Sequence, residues 1–273
     1  MRKLDHLLGG IKLARLKKFA SLLPKSRNRW EETLRLASQH QDKIEELLPP
    51  DFAWSPLYEL DAKLLFILNL AALGMLDKIL QAHRDGLDLN QFLIDETIRE
   101  AENQNEDAEW SGGHDGAFSQ ADVFAITYAT QATRRCVEIY GHYLNELVQQ
   151  VRDGKDPENN AFFHAVSIDR TVLSCPTFAA RLSRAEFFSD RKFMLRLRKA
   201  VKGKPHDALL QHLDLKALLQ LFHEMRALSN FGLDDADQIF IQELKVYQTT
   251  GKDPARSLMR FIQRWTAEKK ATT

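Results

Sequence analysis

Four polar side chains in one stretch of this chain could do chemistry together. Arg135, Glu138, His142 and Glu146 share one face if residues 120–153 form a single helix, opposite an apolar stripe running from Val123 to Val151. Glu138, His142 and Glu146 recur at i, i+4 and i+8, a spacing that could bring two carboxylates and an imidazole to one metal ion. Carboxylate-bridged di-metal bundles need Glu-x-x-His on two helices plus further Glu. Here the spacing is Glu-x-x-x-His, which favours hydrogen bonds along one helix instead. No metal site is therefore expected. Cys136 and Cys175 are the two cysteines, and neither stands at Cys-x-x-Cys or Cys/His spacing, so a structural zinc is excluded on ligand count. His206, His212 and the His223-Glu224 pair have no partner readable from spacing. The chain has no Gly-rich phosphate loop, no Gly-x-Ser-x-Gly and no His-Glu-x-x-His. No cofactor is expected, and the balance leans away from an enzyme.

Arg135 and His142 do stand at one suggestive spacing, with six residues between them. This resembles the Arg-x4–6-His pattern of the HEPN family of helical ribonucleases. The resemblance covers this helix alone. Cys136 stands where that family usually has a polar residue, and the helix is not C-terminal. The resemblance implies an endoribonuclease in which Arg135 holds a phosphate and His142 acts as general acid or base. Phe124 and Tyr128 on the same face would then belong to a dimer interface around the site.

The second candidate is electrostatic. Between residues 180 and 204 there are nine Arg or Lys against Glu186 and Asp190. A helix over 189–203, with Ser189 as N-cap and Asp190 in the first turn, gathers Phe193, Met194, Leu197, Ala200 and Val201 into one stripe. Arg191, Lys192, Arg198, Lys199 and Lys202 fall on the other side, with Leu195 among them. Gly203 ends the helix. Upstream, Phe178, Leu182 and Ala185 make a smaller stripe that turns Arg181 and Arg184 away, and Phe187-Phe188 forms the corner. Two short amphipathic helices, the second basic, have the general shape of a helix-turn-helix. The linker, residues 186–190, reads as long for a tight turn and lacks the usual glycine. A basic helix can neutralise phosphates. The favoured expectation is a non-enzymatic binding protein that contacts DNA or RNA through Arg181, Arg184, Arg191, Lys192, Arg198, Lys199 and Lys202. Two other readings stay open. This face could be solvated or docked on an acidic segment of the same chain. The protein could equally be an interaction scaffold or inhibitor, or a homodimer, with Trp110 or Leu195 at the contact.

The elements that must position these groups all read as helices. The sequence has 273 residues, 44% hydrophobic and 28% charged, with 12 Gly and 8 Pro, a composition that leaves little room for turn-rich β architecture. Net charge is zero, but unevenly spread. Residues 1–29 carry nine Arg or Lys against Asp5, while residues 85–115 carry ten Asp or Glu against Arg99. Helices are expected over 3–23, stopped by Pro24, over 29–48, and over 55–82 with Ser55 as N-cap and Pro56 at the first position. Further helices are expected over 89–102, 120–153, 160–167, 206–230, 234–247 and 254–269. Ser119 and Asp122 suggest a capping box. The fold class is all-α: a multi-helix bundle, read as two helical subdomains joined by a long central helix. The N-terminal part is 1–102 with a basic first helix, 103–119 is an acidic and polar loop, and 120–273 is a C-terminal bundle containing the basic helix. No membrane span is expected, since the longest apolar run is too short. The basic N-terminus shares its composition with mitochondrial presequences and membrane-surface helices, but runs straight on into further helical pattern. A cytoplasmic location is expected, with both thiols free.

Overall fold

The computed structural model describes residues 8, 10–39, 48, 52–102, 118–202, 207–249 and 251–272. Among these the chain is helical and contains no strand, a multi-helix bundle as its composition suggests. In chain order the α-helices are α1 (Leu13–Gln39), α2 (Ser55–Glu59), α3 (Ala62–Ala72), α4 (Leu76–Arg84), α5 (Leu89–Glu102), α6 (Gln120–Tyr140) and α7 (Leu144–Arg152), then α8 (Asn160–Ile168), α9 (Pro176–Phe187), α10 (Arg191–Val201), α11 (Leu213–Glu224), α12 (Leu233–Ala236) and α13 (Pro254–Thr272). Short 3-10 turns join several of them, and a π-helical segment, Asp237–Glu243, continues α12. That segment holds Ile239-Phe240-Ile241, the one strand-like run in the sequence.

Local chemistry explains the boundaries that match expectation. Helix α6 begins at a capping box: the Asp122 amide donates to Ser119 Oγ at 3.1 Å and the Ser119 amide donates to Asp122 Oδ2 at 2.9 Å. Helix α13 starts with Asp253 accepting from the Arg256 amide at 3.0 Å, ahead of Pro254.

Four expectations are corrected. Helix α1 runs through Pro24 instead of stopping there. An interior proline forfeits one backbone hydrogen bond and costs about 3 kcal/mol. Packing on both sides of it holds the helix together: Leu16, Ala20 and Leu23 are buried before it, and Ser26 and Arg27 are engaged after it. The run expected as one helix over 55–82 is three. Leu60 is extended, Asp61 caps α3 by accepting from the Lys63 amide at 2.9 Å, and Gly74 takes φ +76°. Trp54, not Ser55, occupies the N-cap of α2. The long central helix over 120–153 is also broken. It ends at Tyr140, and Gly141 closes it at φ +76°. A Cβ at Gly141 would collide with the Trp265 indole, so both the backbone angle and the space call for glycine.

Two cores result. One gathers Tyr58, Leu65, Ala129, Cys136, Leu144, Phe162, Phe178, Phe193 and Leu197 from α2 and α3 and from α6 to α10. The other gathers Leu16, Leu23, Ile94, Leu215, Phe222, Phe240, Leu258 and Trp265. Each draws on both sides of the 103–119 segment, so the boundary read there does not separate the cores. Helix α6 stands between them. Arg134 donates to Ser26 Oγ at 2.9 Å, and the buried Lys216 ammonium donates to the carbonyls of Ile139 and Leu209, both at 2.8 Å. No described helix is long and apolar enough to cross a membrane.

Candidate nucleic-acid interface

The basic corner is built on an aromatic hub. Phe162 and Phe163 of α8 receive Phe178 from α9 and Phe193 from α10. The ring centroids lie 4.8 Å apart for Phe162–Phe178, 5.1 Å for Phe162–Phe193 and 4.9 Å for Phe163–Phe193. Burying a ring of this size stabilises by roughly 2–3 kcal/mol. Phe193, Leu197 and Ala200 are all buried, so the stripe read from the sequence is the docked face, and the rotation of α10 is fixed by it.

The turn between α9 and α10 differs from expectation. Asp190, not Ser189, is the N-cap, accepting from the Phe193 amide at 3.0 Å. Ser189 adopts φ +52°, the left-handed conformation usually left to glycine. The link is therefore only residues 188–190, tighter than the sequence suggests.

The seven cations read as phosphate contacts do not share one environment. Arg181 points inward, 3.4 Å from Asp156 Oδ2 and 3.3 Å from the Asp156 carbonyl. Asp156 is itself buried and accepts from the Phe162 amide at 2.9 Å, so Arg181 anchors α9 to the start of α8. Arg184, Arg191, Lys192, Arg198, Lys199 and Lys202 are exposed, and none has a carboxylate partner among the described residues. Leu195 is 57% exposed in their midst. Arg196, not among the expected phosphate contacts, lies 4.3 Å above the Phe163 ring and donates to the Glu158 carbonyl at 2.7 Å and Asn160 Oδ1 at 2.8 Å. Phe187 and Phe188, expected only as the corner and not as contacts, are 82% and 68% exposed. The signal was there: adjacent residues at a helix end cannot both face one core. Trp110 and the acidic residues 103–117 lie outside the described residues.

The second constellation is rearranged by the break at Gly141. Arg135 stays on α6, its Nε buried without a hydrogen-bond partner. His142 sits in the link to α7, its Nδ1 3.3 Å from Glu146 Oε2. No hydrogen bond or ion pair joins Arg135 to His142 among the described residues. Glu138 faces elsewhere, 2.8 Å from Arg27 Nε. Glu146 also accepts from the buried Lys269 ammonium at 2.7 Å and from the Tyr143 amide at 3.1 Å. Burial works against its charge, but His142 and Lys269 outweigh that and hold the carboxyl down at about 2. Burial in turn lowers the Lys269 ammonium, with Glu146 acting in the opposite sense. Glu146 borders a cleft of about 540 Å³ that also carries Glu59, Asp61, Asp153 and Glu224 against Lys63 and Lys155. The cleft and the corner thus have opposite electrostatic character. Among the described residues, no group of three or more His, Cys, Asp or Glu is placed to hold a metal ion.

No protein-family model matches the chain, and comparisons with curated proteins and with solved structures find no match. The site's chemistry therefore carries the functional reading.

Proposed function

We propose that this is a non-enzymatic nucleic-acid-binding protein that engages phosphate backbones with the outer face of α10 and the end of α9. The observation that supports it is the set of six exposed cations, Arg184, Arg191, Lys192, Arg198, Lys199 and Lys202, that no described carboxylate answers. Over the eleven residues of α10 the cations span about 16 Å of rigid helix. Their rotation is set by Phe193 and Leu197, so little side-chain order beyond the cations themselves has to be gained on binding. The two free, buried thiols suit a reducing compartment such as the cytoplasm.

Binding through these groups releases counterions and so depends steeply on salt. If all six reach phosphates, log K should fall against log salt with a slope of about −4 to −5. Fluorescence anisotropy with labelled oligonucleotides over a salt series measures it. The Arg198→Ala/Lys199→Ala/Lys202→Ala variant should keep its fold and lose about half that slope. A wild type that binds neither duplex nor single strand at low salt removes this reading, as does a triple variant with an unchanged slope.

A further inference from the structure

Phe187 and Phe188 have no place in either core, although burying each would stabilise the chain by roughly 2 kcal/mol. They stand at the corner of the basic face. Their ring centroids are 5.1 Å apart and the planes are at 89°, so the pair presents two separate faces. The Arg184 guanidinium lies 6.0 Å from the Phe188 ring centroid, and Arg191 and Lys192 open α10 directly after the turn. Cations therefore flank the ring pair in the chain, Arg184 before it and Arg191 and Lys192 after it.

We propose that this corner takes single-stranded nucleic acid, with unpaired bases stacked on Phe187 and Phe188 and the sugar-phosphate chain running along Arg191, Lys192, Arg198, Lys199 and Lys202. This rests on the nucleic-acid reading above and names its substrate class. Bases within a duplex are stacked on one another and offer mainly their edges, whereas single strands leave base faces free for aromatic side chains. An anionic membrane surface fits less well. A helix lying in a membrane interface inserts its apolar face. The apolar face of α10 is spent on the core, through Phe193, Leu197 and Ala200, and Leu195 is the one large apolar side chain on its outer face.

The test compares the wild-type chain with Phe187→Ala/Phe188→Ala and with Phe187→Trp. Ligands are a labelled oligothymidylate, a duplex of equal length, inorganic polyphosphate and phosphatidylserine vesicles. Both rings are exposed, so circular dichroism should be unchanged in each variant. The single strand should bind more tightly than the duplex. The double variant should lose about tenfold or more of that affinity per ring. Its binding of duplex and polyphosphate should not change, because those contacts are to phosphate alone. Phe187→Trp should retain single-strand binding, and its added fluorescence should be quenched by the bases. Equal affinity for duplex and single strand, with neither altered in the double variant, overturns the stacking role and leaves the basic-face reading standing. Absence of binding to either oligonucleotide overturns both. Ring-dependent binding to vesicles in preference to the oligothymidylate overturns the single-strand assignment in favour of a membrane surface.

Discussion

Two basic helices are used in opposite ways. On α1 four described cations are answered from other helices. Arg15 pairs with Asp95, Lys18 with Glu102 at 2.5 Å, and Lys17 with Glu243 at 2.5 Å. Arg27 bridges Glu138, at 2.8 Å, and Asp214. On α10 one cation, Arg196, is held by acceptors at Glu158 and Asn160, and the rest face outward without a described carboxylate. Part of the acidic block read over 85–115 thus meets the first basic block, through α5. A run of like charge is therefore not by itself a binding surface. What matters is whether the fold brings carboxylates to it.

The largest test of this contrast is Arg27→Ala. Its side chain is 16% exposed and that of Glu138 only 5%, so truncation removes the nearer of the two guanidiniums on a buried carboxylate and leaves it only Arg134, at 3.5 Å. Burial opposes the charge on Arg27, but Glu138 and Asp214 raise its pKa. The variant should lose about 2–3 kcal/mol of stability in urea denaturation, at or just below the cost of a fully uncompensated buried charge because Arg134 remains, with oligonucleotide affinity unchanged. Loss of affinity instead would mean that α1 belongs to the binding surface.

A somewhat smaller effect is expected beneath the corner. His164 on α8 stacks on Tyr140 of α6 at 4.1 Å. Burial first, then His142 and Arg196, partly offset by Asp156, hold its imidazole down at about 4. Unfolded, it would titrate near 6.5, so between these values the unfolded chain binds the extra proton. Its contribution is fully present above pH 6.5 and is lost as pH falls toward 4. Allowing for its partial exposure, about 2 kcal/mol should disappear over that window, and His164→Gln should flatten that part of the pH profile. Urea melts across the pH range measure both.

Single charge reversals on the two helices should have opposite effects. Lys199→Glu should weaken oligonucleotide binding about tenfold at moderate salt and leave stability within about 0.5 kcal/mol. Lys18→Glu should do the converse. It places a carboxylate beside Glu102, costs about 1 kcal/mol or less because both groups are half exposed, and leaves affinity as it was. Equal effects of the two reversals on binding would erase the distinction between the helices.

How far each feature was legible follows from where its cause lies. The all-α class, the span of α5, the capping box at Ser119 and Asp122 and the start of α13 depend on contacts within a few residues, so a local reading finds them. The docked stripe of α10 was legible because periodicity alone assigns Phe193, Leu197 and Ala200 to one side. The continuation of α1 through Pro24 was not, because partners more than a hundred residues away, Glu138 and Arg134, hold its second half. Nor was the break at Gly141, which removes His142 from the helix of Arg135 and depends on the Trp265 indole filling the space beside it.

That this chain is helical, that its charge is segregated and which residues of the corner are cationic all follow from residue pattern. Which cations remain for a partner follows from packing. Arg181 is drawn inward by Asp156, Arg196 is occupied by Glu158 and Asn160, four α1 cations meet acids from distant segments, and six at the corner meet no described carboxylate. Helical periodicity tells which way a side chain points from its own axis. Whether a carboxylate waits there is set by the packing of helices far apart in the chain, which no local pattern encodes.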